Sequence, residues 1–263
     1  MAWSSHYLGG RLAMTSLGVL VIGVAACGRR QIVQGECHSV HGADVCVWGE
    51  KSGNTLVAFG ATIPVAAIEN APAEVPMVWP PVALGNIPLP AEVSSATGFQ
   101  QFDVFWEAHG HPPDPYLVPH FDFHFYTIPA GEVEAIDCAD STKPAQLPTA
   151  YELPDVSIPQ LGDLIGLCVP KMGMHALVGT ELHSPTPFHQ TMIVGYYRGH
   201  PIFLEPMVAR KTLLERRSFR MDIPDVPDRP ANVRYPKRFR ADYDSTAQAY
   251  RFVFSDFGSA AAR

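Results

Sequence analysis

Apolar residues recur along this chain in short runs. Residues 45–48 and 55–59 are two such runs separated by a Gly-containing turn, and comparable ones occupy 99–106, 121–127, 132–136, 192–197, 201–204 and 250–254. Runs of this length, bounded by glycine, proline and polar clusters, predict strands. The strictest period lies in His120-Phe121-Asp122-Phe123-His124-Phe125-Tyr126, where every second residue is phenylalanine. On an extended strand the three phenylalanines share one face, while His120, Asp122, His124 and Tyr126 share the other. Residues 192–197 and 201–204 flank Arg198-Gly199 and predict a hairpin.

Other stretches break the strand pattern. Residues 60–98 contain Pro64, Pro72, Pro76, Pro80, Pro81, Pro88 and Pro90. Proline cannot donate to a ladder, so this segment predicts a covering loop with a short helix near 65–68. A second Pro-rich bridge spans 143–159, and the tail from 222 to 243 is again Pro-rich and mixed in charge. Pro206 followed by 207–217 predicts the one sizeable helix, with proline in its first turn. There is no internal repeat and no sharp compositional break. The expected architecture is mainly β: a single antiparallel β-sandwich or barrel-like domain with long Pro-rich loops and one or two short helices. Residues 27–44 are read as a linker and first strand, and 45–263 as the domain.

Composition narrows the function classes. With 47% hydrophobic and 17% charged residues the chain is not a disordered one, and 25 prolines with 21 glycines suit strands and turns. No uncharged apolar run reaches the roughly 20 residues of a membrane span, which excludes a multi-pass membrane protein. Nineteen basic against 26 acidic residues leave a net charge of −7, which argues against a nucleic-acid partner. The arginines at 216–217 and within 234–240 read as solvated surface.

The first segment reads as an address. Arg11 is the only charged side chain before residue 29, residues 12–26 are apolar, and Val24-Ala25-Ala26 precede Cys27. A basic residue, a short apolar core and small residues before a cysteine describe a lipoprotein signal over residues 1–26, with Cys27 the acylated residue. The expected location is the cell envelope outside the cytoplasm, with the membrane as partner through the lipid anchor. The other four cysteines, Cys37, Cys46, Cys138 and Cys168, are then expected to form two disulfides. Cys37 and Cys46 flank a turn-like His41-Gly42-Ala43-Asp44, so a hairpin would pair them and leave Cys138 with Cys168. A thiolate metal site would need closer pairs such as C-x-x-C.

Chemistry concentrates around the alternating strand. Glu107, His109, His111, His120, Asp122 and His124 all bind metal or move protons, and they crowd into a short stretch. Residues i and i+2 on a strand stand about 6.6 Å apart and can share an ion, whereas His120 and His124 are about 13 Å apart and cannot. The pair is therefore Asp122 with His124, or His120 with Asp122, and further ligands must come from elsewhere. His175 in Met172-Gly-Met-His175 and Glu205, an acid in the apolar run Phe203-Leu-Glu205-Pro206, are the candidates. Burying that acid unpaired would cost several kcal/mol. His124 is expected to lie close to His175 and Glu205, with His120 or Asp122 completing the set or orienting it. His109, His111, Glu107, His183 and His189 are second-tier. Imidazole plus carboxylate suits a divalent transition metal, with zinc, iron, manganese and copper all open. The G-x-S-x-G, G-x-G-x-x-G, P-loop and H-E-x-x-H patterns do not occur, which removes support for serine hydrolases, dinucleotide enzymes, P-loop NTPases and zincins.

The stretch Gly110-His111-Pro112 through Pro119-His-Phe-Asp-Phe-His-Phe-Tyr126 resembles the core of an uncharacterised bacterial envelope-protein domain family, typified by a sigma-E-controlled Thermus protein. The family's other marks also have counterparts: a Gly-rich region at 53–60, Leu-Pro at 89–90, M-G-x-H at 172–175 and G-Y-Y-x-G…F-x-E-P-M at 195–207. The resemblance covers about residues 45–215 and implies no particular activity. The chain departs from the family in having Glu107-Ala108 where Asn-Pro is usual, and Ala176-Leu177-Val178 where a Trp-Asp-like pair follows the histidine.

Two functional readings follow. One is an exported metal-binding lipoprotein; whether its site is catalytic stays open. The other is a non-enzymatic small-ligand-binding or assembly module, in which the histidine row binds a small molecule, orders an interface or forms a structural hydrogen-bond network; a homo-oligomer stays open under either reading. A bound metal separates them.

Overall fold

A computed structural model describes residue 1 and residues 29–76, 78–159 and 161–258. The segment read as a signal, apart from Met1, and Cys27 with it lie outside the described residues. In chain order the elements are β1 (Arg30–Val40), β2 (Ala43–Ser52), β3 (Thr55–Pro64), α1 (Val65–Glu69), β4 (Gly85–Pro88), α2 (Ala91–Thr97), β5 (Gln101–Glu107), β6 (His120–Tyr126), α3 (Ala130–Glu134), β7 (Tyr151–Glu152), β8 (Val156–Ile158), β9 (Gly162–Leu164), β10 (Met174–Val178), α4 (Gly179–Leu182), β11 (Gln190–Tyr197), β12 (His200–Ala209), α5 (Arg210–Leu214), β13 (Phe219–Asp222), β14 (Pro236–Asp244) and β15 (Ala249–Phe257).

The strands form two large antiparallel sheets. One has the order β1-β2-β3-β15-β14-β13, the other β4-β5-β6-β12-β11-β10-β7, and β8 pairs with β9 in a small ribbon. The phenylalanine stripe of β6 joins the two sheets. Phe123 meets Phe252 with centroids 4.8 Å apart, and Phe125 meets Phe254 at 4.8 Å and Phe59 at 6.0 Å. This aromatic layer between sheets makes the fold β-sandwich-like. The second sheet is buried on its other face as well. Tyr116, Val133, Ile136, Leu167 and Phe188, all from connecting segments, form a separate apolar layer there with Tyr126, Phe203 and Met207. No helix among the described residues is long and apolar enough to cross a membrane.

Both expected disulfides are present. Cys37–Cys46 joins directly opposed positions of β1 and β2, with Cα atoms 4.0 Å apart. Cys138–Cys168 ties the segment after α3 to the turn before β10, with Cα atoms 5.9 Å apart. Such bonds form in oxidising compartments.

Local pattern and structure disagree at four places. Residues 132–136, expected as a strand, lie in and just after α3. Val133 and Ile136 are 3% and 2% exposed; three residues apart, they share a face only on a helical turn. The helix expected over 207–217 is only α5, because residues up to Ala209 continue β12. Met207, Val208 and Ala209 oppose Asp122, Phe121 and His120 of β6, and Met207 and Val208 also pair with β11. Two ladders outweigh the helix preference of a short apolar run. In the tail, β14 was hidden by charge: Phe239 and Ala241 are buried inward, but Lys237, Arg238 and Arg240 interrupt the apolar signal. The segment 60–98 is not only a covering loop: residues 60–64 complete β3, an internal strand between β2 and β15, and the rest contributes α2 and β4, the latter at a sheet edge where Pro88 costs no ladder bond.

Candidate metal centre

Register assembles the site. Across β5 and β6, Gln101 opposes Tyr126, Asp103 opposes His124, Phe105 opposes Asp122 and Glu107 opposes His120. Across β6 and β12, Phe203 opposes Tyr126 and Met207 opposes Asp122, which leaves Glu205 level with His124. Opposed residues share a face, so all of these side chains point away from the interior between the sheets and into the second buried layer. His175 joins from β10, two strands beyond β12, where it opposes Gly195 of the intervening β11. Gly195 is what lets it approach. A Cβ there would stand 1.9 Å from the Phe203 ring, which lies stacked on His124 (centroids 4.6 Å, planes at 13°) and edge-on to His175 (5.2 Å). Gly195→Ala is expected to push Phe203 off this position and cost roughly 1–3 kcal/mol, the usual range for overpacking. Chemical denaturation checks the stability, and the His124 and His175 ring resonances check the displacement.

His124, His175 and Glu205 present ligand atoms that all lie within 4.8 Å of one another. Glu205 Oε2 is 3.2 Å from His124 Nε2 and 3.9 Å from His175 Nε2. Bonds of about 2.0–2.1 Å at tetrahedral angles place ligand atoms about 3.3 Å apart, so the spacing suits a transition metal. The group is enclosed: His124 and Glu205 are each 1% exposed and His175 is 7% exposed.

Hydrogen bonding behind the ligands fixes which nitrogen faces the centre. His175 Nδ1 lies 3.0 Å from the Leu167 carbonyl, which can only accept, so Nδ1 carries the proton and Nε2 a lone pair. Tyr126 Oη donates to the Met172 carbonyl at 3.4 Å and therefore accepts from His124 Nδ1 at 2.9 Å, leaving His124 Nε2 bare as well. Two lone pairs thus converge on a carboxylate. Neither His124 Nε2 nor Glu205 Oε2 has a hydrogen-bond partner. Burial pulls both histidines down to about 3, with the neighbouring His124 adding to the effect on His175, and pushes Glu205 well above the carboxylate range. Neutral imidazoles held by their Nδ1–H are the form a metal takes.

The remaining sequence candidates divide. His120 and Asp122 do not join this centre. They meet each other at 3.3 Å (His120 Nε2 to Asp122 Oδ1) and group with His111. Glu107 lies level with His120, and burial pushes it up to about 7. His109 is an exposed neighbour of Glu74, His183 is an exposed partner of Glu152, and His189 is exposed on a loop.

Sequence reasoning missed Asp103, which is 1% exposed and receives Gln101 Nε2 at 3.1 and 3.0 Å. Burial pushes it up to about 7. The signal was available: Gln101, Asp103 and Glu107 alternate with Phe102, Val104 and Trp106, the same polar-face, apolar-face pattern as β6. The carbonyls of Leu167 and Met172 carry no side-chain signature and could not have been found that way. No family model, curated protein or solved structure matches the chain.

Proposed function

We propose that this is an exported, lipid-anchored cell-envelope protein, akin to the family its 110–126 core resembles, which holds a divalent transition metal through His124, His175 and Glu205. The observation that carries the metal assignment is the buried meeting of two bare imidazole nitrogens with one carboxylate, unrelieved by any donor. A buried charge without a partner costs several kcal/mol, and a cation at this point satisfies all three groups at once. Two histidines and one carboxylate are a donor set used by zinc and by non-haem iron, and manganese and copper accept the same ligands. Three protein ligands leave at least one coordination position unfilled, which suits an ion that binds or activates a small molecule. The anchor is supported by the sequence before Cys27, and export by the two disulfides.

Zinc at 100 times its dissociation constant adds about 2.7 kcal/mol to folded stability per site, or about 5–10 °C in Tm for a chain of this size. Wild type is expected to show such a rise and Glu205→Gln a smaller one. Equal shifts in the two proteins contradict the assignment. So does wild-type insensitivity to zinc, iron, manganese and copper alike, which would leave a network in which Glu205 holds a proton and donates it to His124. Mass spectrometry of the membrane fraction is expected to show an acylated Cys27 at the mature amino terminus; a soluble product starting elsewhere contradicts the anchor.

A further inference from the structure

The strand that carries His124 bears a second arrangement of the same kind, which the first centre does not use. His111, His120 and Asp122 present ligand atoms within 4.8 Å of one another. His120 Nδ1 donates to the Val118 carbonyl at 2.7 Å, and His111 Nδ1 donates to the Pro112 carbonyl at 2.9 Å. Each ring is thereby left with a bare Nε2. The rings stand nearly perpendicular, with centroids 4.8 Å apart. His120 is 0% exposed and Asp122 5% exposed, yet His120 Nε2 and Asp122 Oδ1, 3.3 Å apart, have no hydrogen-bond partner. Among the described residues neither Asp122 nor Glu107, level with His120, is paired with a lysine or arginine.

The loop before β6 is built to deliver His111. Gly110 has φ +68°, and a Cβ there would stand 2.2 Å from the Tyr116 oxygen and 2.5 Å from the Val118 nitrogen. Only glycine lets the loop fold back this tightly, and the fold-back sets His111 against His120. Phe188 packs edge-on to His120 at 5.3 Å. Val118, Phe188 and Ala209, which surround His120, also line a groove of about 660 Å³ rimmed by Arg210 and Lys211.

We propose that His111, His120 and Asp122 form a second site for a divalent transition metal, one pleat of β6 away from the His124–His175–Glu205 centre. Asp122 and His124 are neighbours on one face of the strand, about 6.6 Å apart, so β6 gives one ligand to the first site and two to the second. The second site stands on its own geometry and does not require the first to be filled.

Titration of the chelator-stripped chain with Co²⁺ alone, followed by calorimetry and visible absorption, tests it. Wild type is expected to take two equivalents. His111→Ala, a half-buried loop position whose loss leaves the strands intact, is expected to take one, as are His120→Asn and His175→Ala. The His111→Ala/His175→Ala double variant is expected to take none. One wild-type equivalent that is lost in His175→Ala but kept in His111→Ala and His120→Asn overturns the second site and leaves the first standing. Two equivalents retained in His111→Ala and His120→Asn overturn it as well. One equivalent lost in His111→Ala but kept in His175→Ala supports the second site and overturns the first, and no binding at all overturns both.

Discussion

Glu205→Gln is expected to weaken metal binding at the His124–His175 centre by more than 100-fold, about 2.7 kcal/mol, while leaving the metal-free protein at least as stable as wild type at pH 7. Losing a hydrogen-bonding partner behind a ligand already costs 10–100-fold, and here the only negative ligand of the centre is removed. Stability is expected to move the other way because Glu205 is 1% exposed and faces two lone pairs. Without a metal that carboxyl must take up a proton to stay buried, at a cost in stability, whereas glutamine supplies an N–H to His124 Nε2 in nearly the same volume without one. Urea unfolding of the stripped proteins and competition with a chelator of known affinity read the two effects separately. A variant that is markedly less stable without metal and binds metal as wild type does would point to a structural network.

The second large effect concerns Cys138–Cys168. Replacing both cysteines by serine is expected to cost about 4 kcal/mol, from the loop entropy of a 30-residue separation. The bridge also has a local task. Cys168 begins the turn whose Met172 carbonyl accepts from Tyr126, it follows Leu167, whose carbonyl accepts from His175, and Lys171 N is bonded to Ile136 O. Loosening that turn frees the Leu167 carbonyl that holds His175 and the Met172 carbonyl that fixes the Tyr126 hydroxyl against His124, so metal affinity is expected to fall 10–100-fold as well. Cys37–Cys46 is the internal control. Its separation is 9 residues in a hairpin already held by its ladder, so its loss is expected to cost less, below about 3 kcal/mol, and to leave metal affinity unchanged. Equal affinity losses from the two bridges would show that the turn is not what orients the ligands.

The site was legible in part because β-sheet geometry converts a period of two into two faces. The alternation of 120–126 identified which residues could share a side, and Glu205 stood out as an acid in an apolar run. What pattern alone did not convey was which face lies between the sheets and which lies under the loops. Both faces of the second sheet are buried, so polarity did not mark solvent. Nor could spacing show that His120 and Asp122 would turn toward His111 rather than His124, since that depends on the fold-back at Gly110. The boundaries that moved, at 132–136 and 207–209, are places where tertiary pairing overrode a short local preference. β14 was obscured by its charged outer face.

Anomalous X-ray scattering from crystals of the protein loaded with zinc, recorded on both sides of the absorption edge, tests the metal assignment most directly. The expected result is a peak within about 2.0–2.2 Å of His124 Nε2, His175 Nε2 and Glu205 Oε2. Crystals saturated with zinc that show no peak at that point, with the three side chains placed as described and Glu205 hydrogen-bonded to His124, would contradict it.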